Sequence, residues 1–504
     1  MVNRPTITTN FIEGTAEAKI GDRSILFIGS KSSAGLATVE EIIEVSDLKD
    51  ARTKFGENSY LTAILEKAFE SNNKTKISAL PLDNGTEAVE GKITLDGAST
   101  ENATLCISVA DINKKFLVEV VIGDTAEIIA TKIKEAFDNT GIKYITATAS
   151  ATEVQFTSEI KNKTGSLFRI TYTRDDLSGV SNIAGVTHSV VQFSGGSALT
   201  LPTNLEDILG TDRYTGIMVQ STIDITPLQT IMQDKLTINN KVLDGFIMIG
   251  KVDTDANLIS FAQGLNSIQP TVICGMNTTH DDFIDFNVAT SISLIELRLT
   301  DKADISTVLK TRDVTPFGGA SIAGVPIAGT DISNTPTKNI RQETIVDNLN
   351  NAGVTVFENN GIDTKLIIGK VVTTRQTDDT GASLEGNSWV TLNTYLQSSV
   401  ARELMHVSIK SKAQQKQIDK VDATNSNPNI WTKSRFKEIL LAEYKKIARL
   451  SIYSSSASEF KRFSEELEET IVFNLAEGSI QYVMSPTLTG QLRDIFGTIK
   501  INTK

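Results

Sequence analysis

Cysteine is almost absent: Cys106 and Cys274 are the only two in 504 residues. Two thiols, each inside an apolar run, cannot build a disulfide framework and read as buried free thiols. Histidine is limited to His188, His280 and His406. No two of them have the spacing of a metal-binding pair, and His280, in "THDD" (279–282), reads as an exposed loop residue. No apolar run approaches the roughly 20 residues that span a bilayer. The opening stretch, "MVNRPTITTNFIEG", lacks the apolar core of a secretory signal. These absences predict a protein made and used without export through a secretory route and without direct membrane contact.

Motifs that carry chemistry are missing too. "GSKSSAG" (29–35) follows a strand pattern, where a phosphate-binding loop would sit. It lacks the closing Gly-Lys-Ser/Thr that places the lysine and the metal-binding hydroxyl, so it reads as a small-residue turn. "DTDAN" (253–257) opens like a calcium loop, but Leu258 stands where the sharp turn needs glycine and Gly264 where a bidentate glutamate is needed. There is no Gly-x-Ser-x-Gly nucleophile elbow. The acidic balance and the lack of a DNA-binding motif argue against nucleic acid. No catalytic, cofactor-binding or metal-binding residue is assigned, and no cofactor is expected.

What is present is ordinary soluble composition, 40% hydrophobic and 22% charged, over a length that suits about three or four domains. The net charge of −12 is unevenly spread. Residues 401–450 carry eleven Lys/Arg and five acids, a local +6 that leaves −18 for the remainder. A basic stretch on an acidic chain is either a solvated helix face or a surface for an acidic partner.

The chain begins with a polar, Thr-rich stretch (1–20) that reads as an extended arm. "RSILFIG" (23–29) reads as a buried strand. "EEIIEVSDLKDARTKFG" and "SYLTAILEKAFESN" have helical spacing, and "KTKISALPL" (74–82) returns to strand, a β-α-α-β start. From about residue 86 to 196 short Thr/Val/Ile-rich strands take over, interrupted by one helix. Asp124 or Thr125 is its expected cap, and Ile129, Ile133 and Phe137 form its apolar stripe. This segment reads as a compact, peripheral, replaceable β-rich insertion. After it α/β alternation resumes in "YTGIMVQ", "LQTIMQDKL", "DGFIMIGKV", "ANLISFAQGLN" and "PTVICGM". Residues 311–340, rich in Gly, Pro, Thr and Ser, are expected to be a long loop. A helix, turn and hairpin follow over 339–374, then two long helices near 387–409 and 432–450. The last stretch, "LRDIFGTIKINTK", alternates Ile495, Gly497, Ile499 and Ile501 with Phe496, Thr498, Lys500 and Asn502, the period of a strand with one apolar face. Such a terminal strand either closes its own sheet or is offered to another chain.

The order of these segments resembles the contractile tail sheath proteins of Mu-like phages. "VVQFSGGSALTLPTNLEDILGTDRYTGIMVQ" (190–220) resembles the family's Gly-Gly and Pro junction, helix and Arg-Tyr strand. "LIIGKVVTTRQTDDTGASLEGNSWVTLNTYLQSSVARELM" (366–405) is similar to its strand, Thr-rich turn and long helix, with Thr373, Thr374, Thr377 and Gly381 at the matching positions. "MSPTLTGQLRDIFGTIKINTK" (484–504) resembles its ending.

The resemblance implies an α+β, α/β multidomain subunit. An inner sheath domain would combine the arm 1–20 with 342–504. An outer α/β domain would span 21–85 and 197–341, and the β-rich insertion 86–196. It implies a structural role and no enzyme activity: a six-fold helical sleeve around a tail tube protein, with baseplate and tail terminator proteins as further partners. The sleeve would contract to drive the tube through a host envelope during genome delivery. The subunit would be assembled in the host cytoplasm and reside in the virion tail. Ile495, Gly497, Ile499 and Ile501 would form the strand donated between subunits. Lys410, Lys412, Lys433, Lys437, Lys445 and Arg449 are the candidates for tube contact. The alternatives are the sheath of a phage-derived, tailocin-like injection particle and, from another class, a soluble α/β enzyme.

Overall fold

The computed structural model describes residues 24–71, 76–110, 115–174, 182–237, 243–277, 326–331, 343–358, 365–368, 371–378, 380–384, 390–413, 417–418, 427, 429–450, 452–476 and 479–488. They fall into two compact units that divide between Ser399 and Val400.

The first unit is built on a seven-stranded sheet. Its strands are β1 (Ser24–Ser30), β2 (Ile43–Val45), β3 (Lys76–Leu82), β11 (Gly216–Val219), β12 (Phe246–Asp253), β13 (Thr271–Asn277) and β15 (Val354–Thr355). They lie in the order β15-β13-β12-β11-β1-β3-β2. All pair in parallel except the edge strand β2. Every residue of β1 is buried, because helices cover both faces and a two-sided strand reads as a continuous apolar run. Ile25 and Phe27 pack with α1 (Leu48–Phe55) and α2 (Tyr60–Ser71) through Ala51, Phe55, Leu61 and Leu65. Leu26 and Ile28 face the opposite way, into a core shared by α4 (Leu205–Leu209), α5 (Thr226–Thr237), α6 (Asp255–Gly264) and α7 (Glu343–Asn351). From β1 the chain first adds β3 on one side. It later adds β11, β12 and β13 on the other, so the topological switch point lies between β1 and β11.

Two sequence expectations change here. "EEIIEV" contributes the edge strand β2 rather than helix, because β-branched Ile43 and Val45 suit a pleated surface. The helix starts only after Asp47, whose carboxylate accepts from Asp50 N at 2.7 Å. Within the expected 311–340 loop, Pro326–Asp331 forms strand β14, which pairs with β17 (Lys365–Ile368) beside β16 (Phe357–Glu358). The rest of that loop lies outside the described residues.

The insertion folds as two antiparallel sheets and one helix. One sheet orders as β10-β4-β8-β7, formed by β4 (Val89–Gly97), β7 (Ile145–Ser150), β8 (Glu153–Ser158) and β10 (Val186–Gly195). The other is β6-β5-β9, formed by β5 (Ala103–Val109), β6 (Phe116–Val120) and β9 (Ile170–Arg174). Helix α3 (Ala126–Asp138) buries Ile129, Ile133 and Phe137 as its spacing predicted. Phe137 meets Phe116 and Phe156 edge-on at 6.0 and 5.2 Å. Thr125 is its N-cap residue but makes no side-chain cap bond. Asp124 accepts instead from Val121 N at 2.9 Å and Lys132 Nζ at 2.6 Å.

The second unit holds the later turns of α8 (Leu392–Ala413), α9 (Lys433–Arg449) and α10 (Ala457–Thr470). It also holds the short pair β18 (Gln417–Ile418) and β19 (Ile430–Trp431) and the hairpin β20 (Val472–Asn474)–β21 (Ser479–Gln481). Thr432 caps α9 by accepting from Arg435 N. The apolar face of α9 buries Phe436, Leu440, Tyr444 and Ile447. Tyr444 is the hub, its ring 4.6 Å from Phe463 and 5.1 Å from Tyr453.

Candidate functional site

The basic segment separates into paired and outward cations. Lys412 on α8 donates to Glu443 Oε1 on α9 at 2.5 Å, and Lys446 reaches the same oxygen at 3.0 Å. Burial pushes the Glu443 carboxyl up, but hydrogen bonds from Lys412, Lys446 and Ser408 outweigh it and hold the group below the usual carboxylate range. Lys437 and Lys433 both reach Glu468 on α10, at 2.8 and 3.6 Å. These three candidates therefore tie helices together. Lys410, Lys445 and Arg449 are exposed. Lys445 lies 4.7 Å over the Phe460 ring. On α8, Arg402, His406 and Lys410 recur every four residues and share one face. Burial, together with the Lys410 and Arg402 charges, holds the His406 imidazole below its usual value.

The hairpin β20–β21 is a sheet of two strands among the described residues. Val472, Leu475 and Val483, on and beside it, are 55%, 44% and 60% exposed. The chain then runs extended along α10. Thr470 Oγ1 donates to Val483 O at 2.8 Å, and Arg462 Nη2 donates to Ser485 O at 2.8 Å and Thr487 Oγ1 at 3.0 Å. Ser485 Oγ donates to Glu466 at 2.6 Å, and Thr487 Oγ1 donates to Glu459. Ile495, Gly497, Ile499 and Ile501 lie outside the described residues, as does His280.

The other singled-out motifs serve the fold. In "GSKSSAG" the Lys31 ammonium donates to Ser32 O and Gly35 O at 3.2 and 2.9 Å. A side chain at Gly35 would sit 2.4 Å from the Phe55 backbone. In "DTDAN", Asp253 accepts from Thr254 N and Asn257 Nδ2, and Thr254 caps α6. His188 stacks on Tyr172 at 4.0 Å between ring centroids. The threonines of 373–377 fasten that segment to the sheet. Thr374 N and Oγ1 donate to Thr271 O and Leu265 O at 2.8 and 3.0 Å, and Asn266 Nδ2 donates to Thr377 Oγ1 at 2.9 Å. Thr373 O accepts from Gln376 Nε2 at 2.6 Å. Gly381, at φ +85°, completes a turn that Asp378 closes. Arg213 meets buried Asp244 at 3.3 Å and donates to Ser399 Oγ at 3.0 Å.

No family model matches the chain. It is 26% identical over 247 residues to the Mu-like prophage FluMu tail sheath protein of Haemophilus influenzae (strain KW20/Rd), covering 48% of this chain and 50% of that protein. The chain resembles a phage tail sheath protein. The matched part spans about half the length of that curated relative. Among solved structures, the sheath tail protein of Desulfitobacterium hafniense aligns over 95% of this chain and 99% of its own, at 9% identity and a TM-score of 0.46. A chain of the anti-feeding prophage baseplate in its contracted state aligns over 100% and 99%, at 12% identity and a TM-score of 0.45. The sequence relative is by name a structural protein of a phage tail, a tail sheath protein. Among the described residues, no helix is long and apolar enough to cross a membrane, and no cluster of His, Cys, Asp and Glu could hold a metal ion.

Proposed function

We propose that the protein is the structural subunit of a contractile tail sheath. It polymerises helically around a tail tube in the virion tail and contracts to drive the tube through the host envelope. The sequence likeness to a tail sheath protein carries the reading. In the fold, the hairpin β20–β21 supports it. A two-stranded sheet is marginal alone and gains from added strands, and exposed Val472 and Val483 extend an apolar surface beside its edges. The occupant we assign is the terminal strand of another copy, with Ile495, Gly497, Ile499 and Ile501 on its apolar face. Strand addition of this kind, head-to-tail, propagates into an open helical polymer. Each backbone bond contributes about 0.5–1.5 kcal/mol net, so several tether neighbours while packed surfaces rearrange.

On this reading the inner layer is the arm 1–20 with the carboxy-terminal region. The outer α/β domain and the insertion lie outside it. The outward cations Lys410, Lys445 and Arg449 face an acidic tube. Baseplate and terminator proteins bound the sleeve, and assembly takes place in the host cytoplasm. Negative-stain imaging of purified protein tests the reading: helical sleeves are expected, and a small closed oligomer would overturn it. A head on the native particle separates a phage from a phage-derived injection particle.

A further inference from the structure

At the switch point between β1 and β11, a doubly wound sheet opens a crevice beyond the carboxyl ends of its strands, where such folds bind ligands. In this chain the insertion fills it. Gln220, the residue after β11, accepts from Ser30 N at the end of β1 at 2.7 Å. Its amide nitrogen donates to Asn162 Oδ1 at 3.0 Å and Thr164 Oγ1 at 2.9 Å. Asn162 Nδ2 donates back to Ser30 Oγ at 3.0 Å and to Asn84 Oδ1 at 3.1 Å. Thr164 N donates to Asn162 Oδ1 at 3.1 Å, and Thr164 Oγ1 donates to Ser221 O at 2.9 Å. Ser30, Asn162, Thr164 and Gln220 are all 0% exposed. Every hydrogen-bonding valence of the Asn162 amide is used, the condition under which a buried polar network rigidifies rather than destabilises.

The same residue gathers the chain passages at the neck of the insertion. Asn84, on the way in, accepts from Lys161 N at 3.1 Å and donates to Glu159 O at 2.6 Å. Ser197, on the way out, pairs with Lys161 and Lys163 through backbone bonds of 3.1 and 3.0 Å. Gly196 has φ +84°, and a Cβ there would lie 2.5 Å from the Asn162 carbonyl. The Gly-Gly junction thus lets the exit strand pass directly over Asn162.

We propose that Asn162 and Gln220 are positioning residues that lock the insertion and the parallel sheet into one rigid body, closing the sheet's ligand crevice with the chain's own side chains. Native-state hydrogen exchange tests this. In the wild type, the Ser30 and Thr164 amides, both bonded to side chains of the network, should exchange as slowly as the amides inside β1. Loop-like rates would overturn the proposal whatever the variants do. In Asn162→Ala both amides should exchange about tenfold faster or more, as expected for losing a buried partner, while Leu105 in the distal sheet keeps its rate. Unchanged neck rates in a folded Asn162→Ala would also overturn it. ATP with magnesium should leave the Ser30 rate unaltered, and added protection there would show an open crevice and sink the closure.

Discussion

Lys412 and Glu443 meet across α8 and α9 at 2.5 Å, with the carboxylate buried and the lysine reaching in from the surface. Lys446 and Ser408 complete the shell of the same carboxylate. A buried acid so surrounded holds two helices at a fixed separation, and its removal leaves charges uncompensated.

Because these partners depress the Glu443 pKa, its contribution to stability is present above the unfolded value near 4.5. It is lost as pH falls through the folded value. Glu443→Gln should flatten the loss of stability below about pH 4.5 and lower it at neutral pH by about 1–3 kcal/mol. Urea melts of both proteins at pH 7 and pH 4 read this directly. Parallel stability-versus-pH curves would refute it.

The six candidate cations should split by phenotype. Reversing Lys433 and Lys437 to Glu sets like charge against Glu468 and should lower the melting temperature of the subunit. Reversing Lys410, Lys445 and Arg449 should cost the melt only about 1 kcal/mol, chiefly the Lys445–Phe460 contact, yet block extended assembly on tubes while sheath-only polymers still form. Exposed ion pairs of about 0–1 kcal/mol each suit contacts that must break on contraction. Normal tube assembly by the second variant would exclude those residues from the contact.

The two groups could not be told apart in the sequence. All six sit in one basic stretch, and only the arrival of Glu443 and Glu468 from other turns and helices decides which are internal. What was legible followed from local pattern. The continuous apolar runs of β1, β11, β12 and β13 marked strands buried on both faces, and Ile129, Ile133 and Phe137 marked one face of α3. Asn162 and Gln220 left no such mark. They are single polar residues 58 positions apart, and their value lies in valences satisfied across the fold.

That network bears on how the insertion can be removed. Replacing residues 86–196 with a Gly/Ser linker takes away Asn162 and Thr164 and strands the buried Ser30 and Gln220 groups. The truncated protein should be destabilised by several kcal/mol, at about 1–3 kcal/mol for each unsatisfied group. Adding Gln220→Leu to the truncation should restore part of that loss. A truncated protein as stable as the parent would mean that water takes over the network without penalty.

Deleting 492–504 should separate folding from assembly. Among the described residues, the α9 and α10 core packs Tyr444 against Tyr453 and Phe463, and on the proposed reading the deleted strand serves a neighbour, so the subunit should melt as the parent does. It should form no sleeves, because the acceptor hairpin then has no donor. Val472→Asp with Val483→Asp should give the same outcome from the acceptor side. Sleeves from either variant would show that the hairpin is not where subunits join.

The last expectation concerns energy. The loop in the nucleotide-binding position has its lysine bonded to its own carbonyls, and the crevice beside it is filled by Asn162 and Gln220. Contraction on the proposed reading therefore draws on energy stored during assembly, released when packed interfaces switch between two arrangements. Without a tube to favour the extended form, the population shifts to the more stable arrangement. Purified subunits should then polymerise into wide, contracted-like sleeves without ATP, metal or tube. Extended particles exposed to mild urea or acid should contract and stay contracted when the agent is removed, because loosening the weak tube contacts lets the stable ones form. Imaging particles before, during and after such treatment, with and without ATP, decides the matter. A requirement for ATP, or re-extension on removal of the urea, would show that the energy is supplied at contraction and not at assembly.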